Sequence, residues 1–447
     1  MSKVIKIKQG LDIKLKGAAD KVMGTAASKT YAIRPDDFHG VFSKVTVKVG
    51  DQVKAGEVIA FDKYQDKVKF CAPVSGEIVE IIRGEKRKLL EVRILADSTI
   101  AYASMEADDS SKEAVISSLC NAGLWPFIKQ RPYDVIANPE ETPRDIFISG
   151  FNTAPLGADM DFVLHGREAG FQKGLDALSK LTGGKVFLSV HAKRTASDVL
   201  KGAKNVEMIT VDGPHPSGLA GMQINSVQPI NKGERVWTVD AQAVAMMGEF
   251  FISKKAEYTK VIAVGGAQVA KPKYYRTTMG VELSALLNES EADTNEARVI
   301  NGDALTGVAD AADSHLRFYN NEVSVIPEGG DSPMFGWIAP NFNKLSMSRT
   351  MFSWLTPSKE YNLSTNTNGE ERPFVVTGTY EQVFPMDVYP MQLLKAIMVK
   401  DIEQMENLGI YEVIPEDFAL CEFVDPSKIN MQQVVREGLD LAHSELG

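Results

Sequence analysis

The chain changes its hydrophobic rhythm twice before residue 260. Up to about residue 105, apolar positions come in short alternating or continuous runs, VTVKVGDQVKAGEVIAF and KVKFCAPVSGEIVEI, with corners at Gly50-Asp51, Ala55-Gly56, Pro73 and Gly76. Runs of that kind between turn residues predict an all-β unit. From Ser111 to Lys260, four short apolar runs (RDIFISG, KVFLSV, VEMITV and RVWTV) alternate with helix-spaced segments. Unbroken apolar runs are expected of parallel strands covered on both faces. The predicted helices are DFVLHGREAGFQKGLDALSKL, stopped at Gly183-Gly184, then TASDVLKGAKN, with Thr195 and Ser197 as N-caps, and DAQAVAMMGEFFI, opened by Asp240. Strands alternating with helices predict a doubly wound sheet. Loops 149–160, 191–195 and 212–221 then lie beyond the carboxyl ends of strands, where ligands bind on such sheets.

After Lys260 a strand, a Gly-Gly turn, a second strand and a helix follow in KVIAVGGAQVAKPKYYRTTMGVELSALL, a small α+β motif that ARVINGDALTGV continues. The Pro- and Gly-rich run Ile326–Trp337 closes it, and Pro390–Gly447 reads as largely helical, with LLKAIMVKDIEQMENLG one helix ending at Gly409. The fold class is therefore α/β plus β, in four domains: residues 1–105, 106–257, 258–330 and 331–447. The paired pattern VKVGDxVKAGxVIA and APVSGxIVEI resembles biotinyl/lipoyl-type barrel-sandwich domains. Where those carry a modified lysine, this chain has Gln65, with Lys63 and Lys67 out of register, so the resemblance implies the fold without the carrier chemistry. The second domain is Rossmann-like and the third is similar to a ubiquitin-like β-grasp.

Composition narrows the function. The net charge of −10 argues against nucleic acid and against an anionic lipid surface as partners. The opening MSKVIKIKQG has no signal-peptide core, and the most apolar stretch, Val236–Ile252, holds Asp240, Gln242 and Glu249, so no direct membrane span is expected. Cys71, Cys120 and Cys421 are widely separated, which predicts neither a disulfide nor an iron–sulfur or zinc framework. No two glycines stand two positions apart, so the dinucleotide fingerprint G-x-G is missing from the α/β domain. Gly166, Gly170 and Gly174, four apart in a helical pattern, read instead as a close-packing face.

Three segments carry candidate chemistry. NAGLWPFIKQRPY, Asn121–Tyr133, gathers Trp125, Phe127 and Arg131 around two prolines. It predicts a shaped loop that is either a domain-packing plug or a face for a ligand or partner. GPHPSG holds His215 between Pro214 and Pro216; a rigid imidazole there can donate a hydrogen bond to a ligand, shuttle a proton, or simply cap a turn. RPDDFHG places Phe38 and His39 beside Asp36 and Asp37, a carboxylate pair that is either acid–base machinery or a solvated turn.

GLWPFIKQRP, GPHP, RVINGDALTG, TGTYEQVFPMDVYP and DFALCEFVDPSK resemble, in order and over nearly the whole chain, the NqrA family of sodium-pumping NADH:quinone oxidoreductase subunits. The resemblance implies a peripheral subunit on the cytoplasmic side of the inner membrane, held there by the other subunits of the complex. It implies no flavin or iron–sulfur cluster in this chain. NADH, flavins, iron centres and the sodium path would belong to partners, and quinone is the possible ligand here. Phe38, His39, Trp125, Phe127, Arg131, Pro214 and His215 are the candidate quinone or partner contacts, with no catalytic or metal-binding residue assigned. The alternatives are a purely structural scaffold or a free-standing NADH/flavin dehydrogenase subunit.

Overall fold

A computed structural model of the chain describes residues 3–330, 335 and 341–446. Half of the Pro- and Gly-rich run expected at Ile326–Trp337, residues 331–334, 336 and 337, lies outside the described residues.

The centre of the molecule is a seven-stranded sheet in the order Lys3–Lys6, Glu207–Asp212, Val186–His191, Asp145–Ser149, Val236–Asp240, Ile128–Arg131, Val135–Ile136. The first five strands are parallel and the last two antiparallel. The four apolar runs form the four central parallel strands, and their lack of alternation has a direct cause. Ile146, Ile148, Leu188 and Trp237 face one core, with Phe171, Leu175, Val244 and Phe250 of the covering helices. Phe147, Phe187, Ile209, Val211 and Val236 face a second core, closed by Leu393, Leu394, Phe418, Val435 and Leu439 of the C-terminal helices. Both faces of Val186–His191 and nearly all of Asp145–Ser149 are dry and therefore largely apolar, whereas Glu207–Asp212 buries only Ile209 and Val211, on one face.

The helix Ala241–Ser253 starts where Asp240 accepts hydrogen bonds from the Gln242 and Ala243 amides. The single helix expected upstream is two, Met160–Val163 and Glu168–Leu178. The break lies at Gly166, whose φ of +78° leaves the helical region. Gly166 therefore does not belong to the packing face, whereas Gly170 and Gly174 do. A Cβ on Gly174 would stand 2.0 Å from Val244 O, and one on Gly248 1.8 Å from Gly170 O. The two helices touch backbone to backbone.

Two small sheets make the N-terminal unit. One is Thr30–Ile33, Leu89–Ala96, Gly76–Arg83, Gln52–Val53, the other Ser43–Val45, Val58–Asp62, Lys69–Cys71. The tip between the two carrier-like hairpins does not project freely: Gln65 Nε2 donates to Asn138 Oδ1 at 3.0 Å, tying it to the α/β unit. The residues before this unit leave it. Lys3–Lys6 runs parallel to Glu207–Asp212, and Asp20–Thr25 runs parallel to Lys273–Thr278 in a six-stranded sheet. That sheet holds Thr259–Gly265 antiparallel to Lys273–Thr278 and parallel to Glu322–Pro327, with the helix Leu283–Glu289 between strands in sequence. At the C-terminus the one helix expected through LLKAIMVKDIEQMENLG is again two, Pro390–Met398 and Ile402–Asn407. Lys400 takes a φ of +59° and Asp401 caps the second helix by accepting from Gln404 N. The shared hydrophobic period hid a cap signal inside it.

Candidate functional site

Half of the aromatic segment is not loop. Trp125–Phe127 is one 3-10 turn, and Ile128–Arg131 is a strand paired with Val236–Asp240. Trp125 is fully buried, its indole N–H donating to Ala137 O at 2.7 Å and its ring edge-on to Trp237 at 5.5 Å. Phe127 turns toward the six-stranded unit. It stacks on Phe318 at 4.1 Å, and Phe318 meets Phe38 edge-on at 4.8 Å. Phe38 in turn stacks on Phe70 of the N-terminal unit at 4.4 Å. The rings at 38 and 127 thus belong to one buried cluster, joined through a residue that sequence inspection passed over.

Polar groups fix this cluster. Asp37 is not solvated: its carboxylate accepts from Arg317 Nη1 at 2.8 Å and from Phe318 N at 2.9 Å. Burial raises its pKa above the ordinary value, with Arg317 opposing. The Tyr319 hydroxyl donates to Pro126 O at 2.8 Å, and Lys129 lies 5.1 Å from the Tyr319 ring. Lys260 is the cation beneath. Its ammonium donates to Phe318 O at 3.0 Å and Asn320 O at 2.6 Å, and sits 6.0 Å from the Phe127 ring. Burial pulls Lys260 down to about 8, against the fields of Asp240, Glu322 and Asp37. Burial also pushes the neighbouring Glu322 carboxyl up to about 8. Asp240 accepts from Asn321 Nδ2 at 3.0 Å, and Asn321 accepts from Gln242 Nε2 at 3.0 Å, so the polar chain continues to the head of the 241–253 helix. Lys260, Glu322 and Phe318 had no motif to announce them; the one visible signal was an aromatic pair in the polar context RFYNNE.

The other predicted residues lie apart from this cluster. Arg131 is buried against the C-terminal region, its Nη1 donating to Asp417 Oδ2 at 2.7 Å and its Nη2 to Glu416 Oε1 at 3.3 Å. His39 is exposed and its Nε2 lies 2.7 Å from Asp440 Oδ1 of the last helix. Pro214 is half-buried and His215 buried. His215 Nδ1 lies 3.1 Å from Thr153 Oγ1, its amide donates to Asp12 Oδ1 at 2.9 Å, and its carbonyl accepts from Leu11 N at 2.9 Å. Burial lowers its pKa to about 4, so the ring is neutral at pH 7 despite Asp303 and Asp12. The three crevice loops do meet: Gly218 N donates to Thr153 Oγ1 at 3.0 Å and Ser149 Oγ to Gly218 O at 2.8 Å, while the His191 ring stands edge-on to Phe151 at 5.3 Å and Lys193 Nζ donates to Asp212 Oδ1 at 3.0 Å.

Beside His215 the surface opens. A hollow of about 220 Å³ is lined by Asp12, Thr153, Pro155 and Arg194 among others. A larger one of about 420 Å³ shares Asp12 and Lys14 with it and runs along Met347, Arg349, Trp354 and Tyr361. Among the described residues, no group of three or more His, Cys, Asp or Glu side chains could hold a metal ion, and no helix is long and apolar enough to cross a membrane.

Comparison with known proteins sets this architecture in a class. Family models match three segments: the NqrA N-terminal barrel-sandwich hybrid domain over residues 5–97, the NqrA second alpha/beta domain over 110–255, and the NQRA C-terminal domain over 261–310. The NqrA protein of the Na(+)-translocating NADH-quinone reductase of Marinomonas sp. (strain MWYL1) is 36% identical, over 98% of this chain and 99% of its own length. Its namesakes from Hahella chejuensis and Neisseria meningitidis serogroup B are each 35% identical, over 99% of this chain and their full length. The chain belongs to the NqrA family. A solved structure of an NAD+-reducing [NiFe]-hydrogenase is 12% identical over 78% of this chain and 73% of that one, at a TM-score of 0.38, a likeness too slight to bear on function.

Proposed function

We propose that this chain is the NqrA component of a sodium-translocating NADH–quinone reductase, a respiratory oxidoreductase and translocase. The observation that carries this is the identity of 34 to 36% with proteins of that name over nearly the whole length of both partners. It sits peripherally on the cytoplasmic side of the inner membrane and is held there by partner subunits. It carries no flavin or iron centre; those, NADH and the sodium path belong to its partners. Its part is to shape the assembly and to support the quinone end of electron transfer. Four units serve this: a barrel-sandwich within 1–105, whose Lys3–Lys6 and Asp20–Thr25 join the two neighbouring sheets, a Rossmann-like domain at 106–257, a β-grasp domain at 258–330 and a helical region at 331–447. The strand order around Asp145–Ser149 and Val236–Asp240 supports the second, and the parallel pairing of Thr259–Gly265 with Glu322–Pro327 supports the third.

We infer that the quinone end lies at the junction of Phe38, Phe127 and Phe318. A quinone asks for aromatic walls and a few polar groups near its carbonyls, and this cluster offers the Lys260 ammonium, with Asp37 and the Tyr319 hydroxyl beside it. The burial of Trp125 and Phe127 favours a second reading, a scaffold whose rings only cement three units together. Titration of a soluble quinone analogue against the isolated chain, followed by tryptophan fluorescence, separates the two. Saturable quenching that weakens in Phe127→Ala supports the quinone reading. No binding to protein shown to be folded leaves the scaffold.

A further inference from the structure

The larger hollow has no part in the function described so far. Its walls carry three cations. Lys14 Nζ donates to Pro357 O at 2.9 Å, Lys359 Nζ to Phe342 O at 2.9 Å and Asn343 Oδ1 at 2.7 Å, and the Arg349 guanidinium lies 5.9 Å from the Trp354 ring. Every partner these three find among the described residues is neutral. The carboxylate that shares the hollow, Asp12, is already engaged: Oδ1 accepts from His215 N at 2.9 Å and Oδ2 lies 3.2 Å from Arg194 Nη2. In a chain of net charge −10, this is a local reversal of sign. The surroundings are apolar, with Trp354 at 52%, Leu355 at 54% and Phe342 at 56% exposure. Large apolar side chains left in water beside a hollow mark an interaction surface. Arg349 has a φ of +60°, a conformation that side chains other than glycine seldom adopt.

We propose that this hollow is the docking site for a segment of a partner subunit that bears a carboxylate next to an aromatic or long aliphatic side chain. The proposal rests on the function proposed above and adds the face and the chemistry. Ammonium and guanidinium groups with no carboxylate partner among the described residues, beside Trp354, Met347 and Leu345, complement an acidic chain that also carries an apolar side chain. The concave shape selects a protein segment over a bilayer. A space of about 420 Å³ between loops stays empty against a flat lipid surface, while an inserted side chain fills it and excludes water, as binding hot spots require.

Site-specific photo-cross-linking in the assembled complex tests this. Leu355 is replaced by benzoyl-phenylalanine, and Phe42, exposed on the N-terminal unit, is replaced likewise as control. The expected product at Leu355 is a covalent link to another subunit, at a peptide that mass spectrometry shows to hold Asp or Glu beside an apolar residue. The double reversal Arg349→Glu with Lys359→Glu should lower that yield about tenfold or more, while the isolated variant melts as the parent does. If the double variant fails to fold, Arg349→Gln alone is read in the same way. Links to lipid only, links to no subunit in a complex that retains the chain, or an unchanged yield in the charge variant overturn the docking site and leave the proposed function intact. A parent chain that never co-purifies with such a complex overturns both.

Discussion

Trp125 shows how one side chain joins two levels of the structure. Its ring fills the core next to Trp237, while its N–H closes the carbonyl of Ala137. Trp125→Ala should therefore lower stability by about 3–5 kcal/mol, as removal of large buried rings does. Trp125→Phe should cost less, because most of the volume remains. Urea midpoints of the two variants check this, and equal midpoints would show that the ring is not a core element. His215 works through charge. Its pKa falls from 6.5 to about 4 on folding, because burial disfavours the imidazolium. The unfolded chain takes up this proton near pH 6.5 and the folded chain only near pH 4. Its stabilising contribution is thus complete above pH 6.5 and is lost as the pH falls toward 4. His215→Gln should flatten the fall of melting temperature across that interval; an unchanged slope would refute the assignment.

Among the elements, the contact of helices Glu168–Leu178 and Ala241–Ser253 depends on missing side chains. Gly248 has Gly170 O only 1.8 Å from where its Cβ would be, and backbone cannot yield as a flexible side chain can. Gly248→Ala should cost about 1–3 kcal/mol or more through overpacking. Gly183→Ala, with nothing within 4 Å of its added Cβ, should stay within about 0.5 kcal/mol. Thermal melts of the pair decide, and similar losses would mean that close approach is not what these glycines provide. Spacing exposed this feature for Gly170 and Gly174, since residues four apart share a helix face. It misplaced Gly166, because a four-residue interval does not reveal where a helix is interrupted.

For the molecule as a whole, the C-terminal region is not an appendage. It covers one face of the central sheet, and its Asp417 neutralises the buried Arg131. A chain ending at residue 330 would expose Phe147 and Phe187 and leave that guanidinium unpaired. The broken ion pair alone is worth about 3–5 kcal/mol. The truncated chain is therefore expected to aggregate or bind a hydrophobic dye, measured by gel filtration and dye fluorescence against the full chain. A monomer that melts like the parent would contradict this.

Sequence by itself determined what short range controls. The parallel strands were legible because burial on both faces removes alternation, and the Asp240 cap because a side-chain acceptor at a helix start serves its own next turn. Family membership was legible because motifs such as GLWPFIKQRP and RVINGDALTG recur in order along the chain. Tertiary structure alone decided which distant groups meet. Phe38 and Phe127 touch a common Phe318, Asp37 is drawn out of water by Arg317, and Lys3–Lys6 joins a sheet formed two hundred residues later. Such pairings depend on loop closure and on the faces left uncovered once the local elements have formed, and no local pattern of polar and apolar positions encodes them.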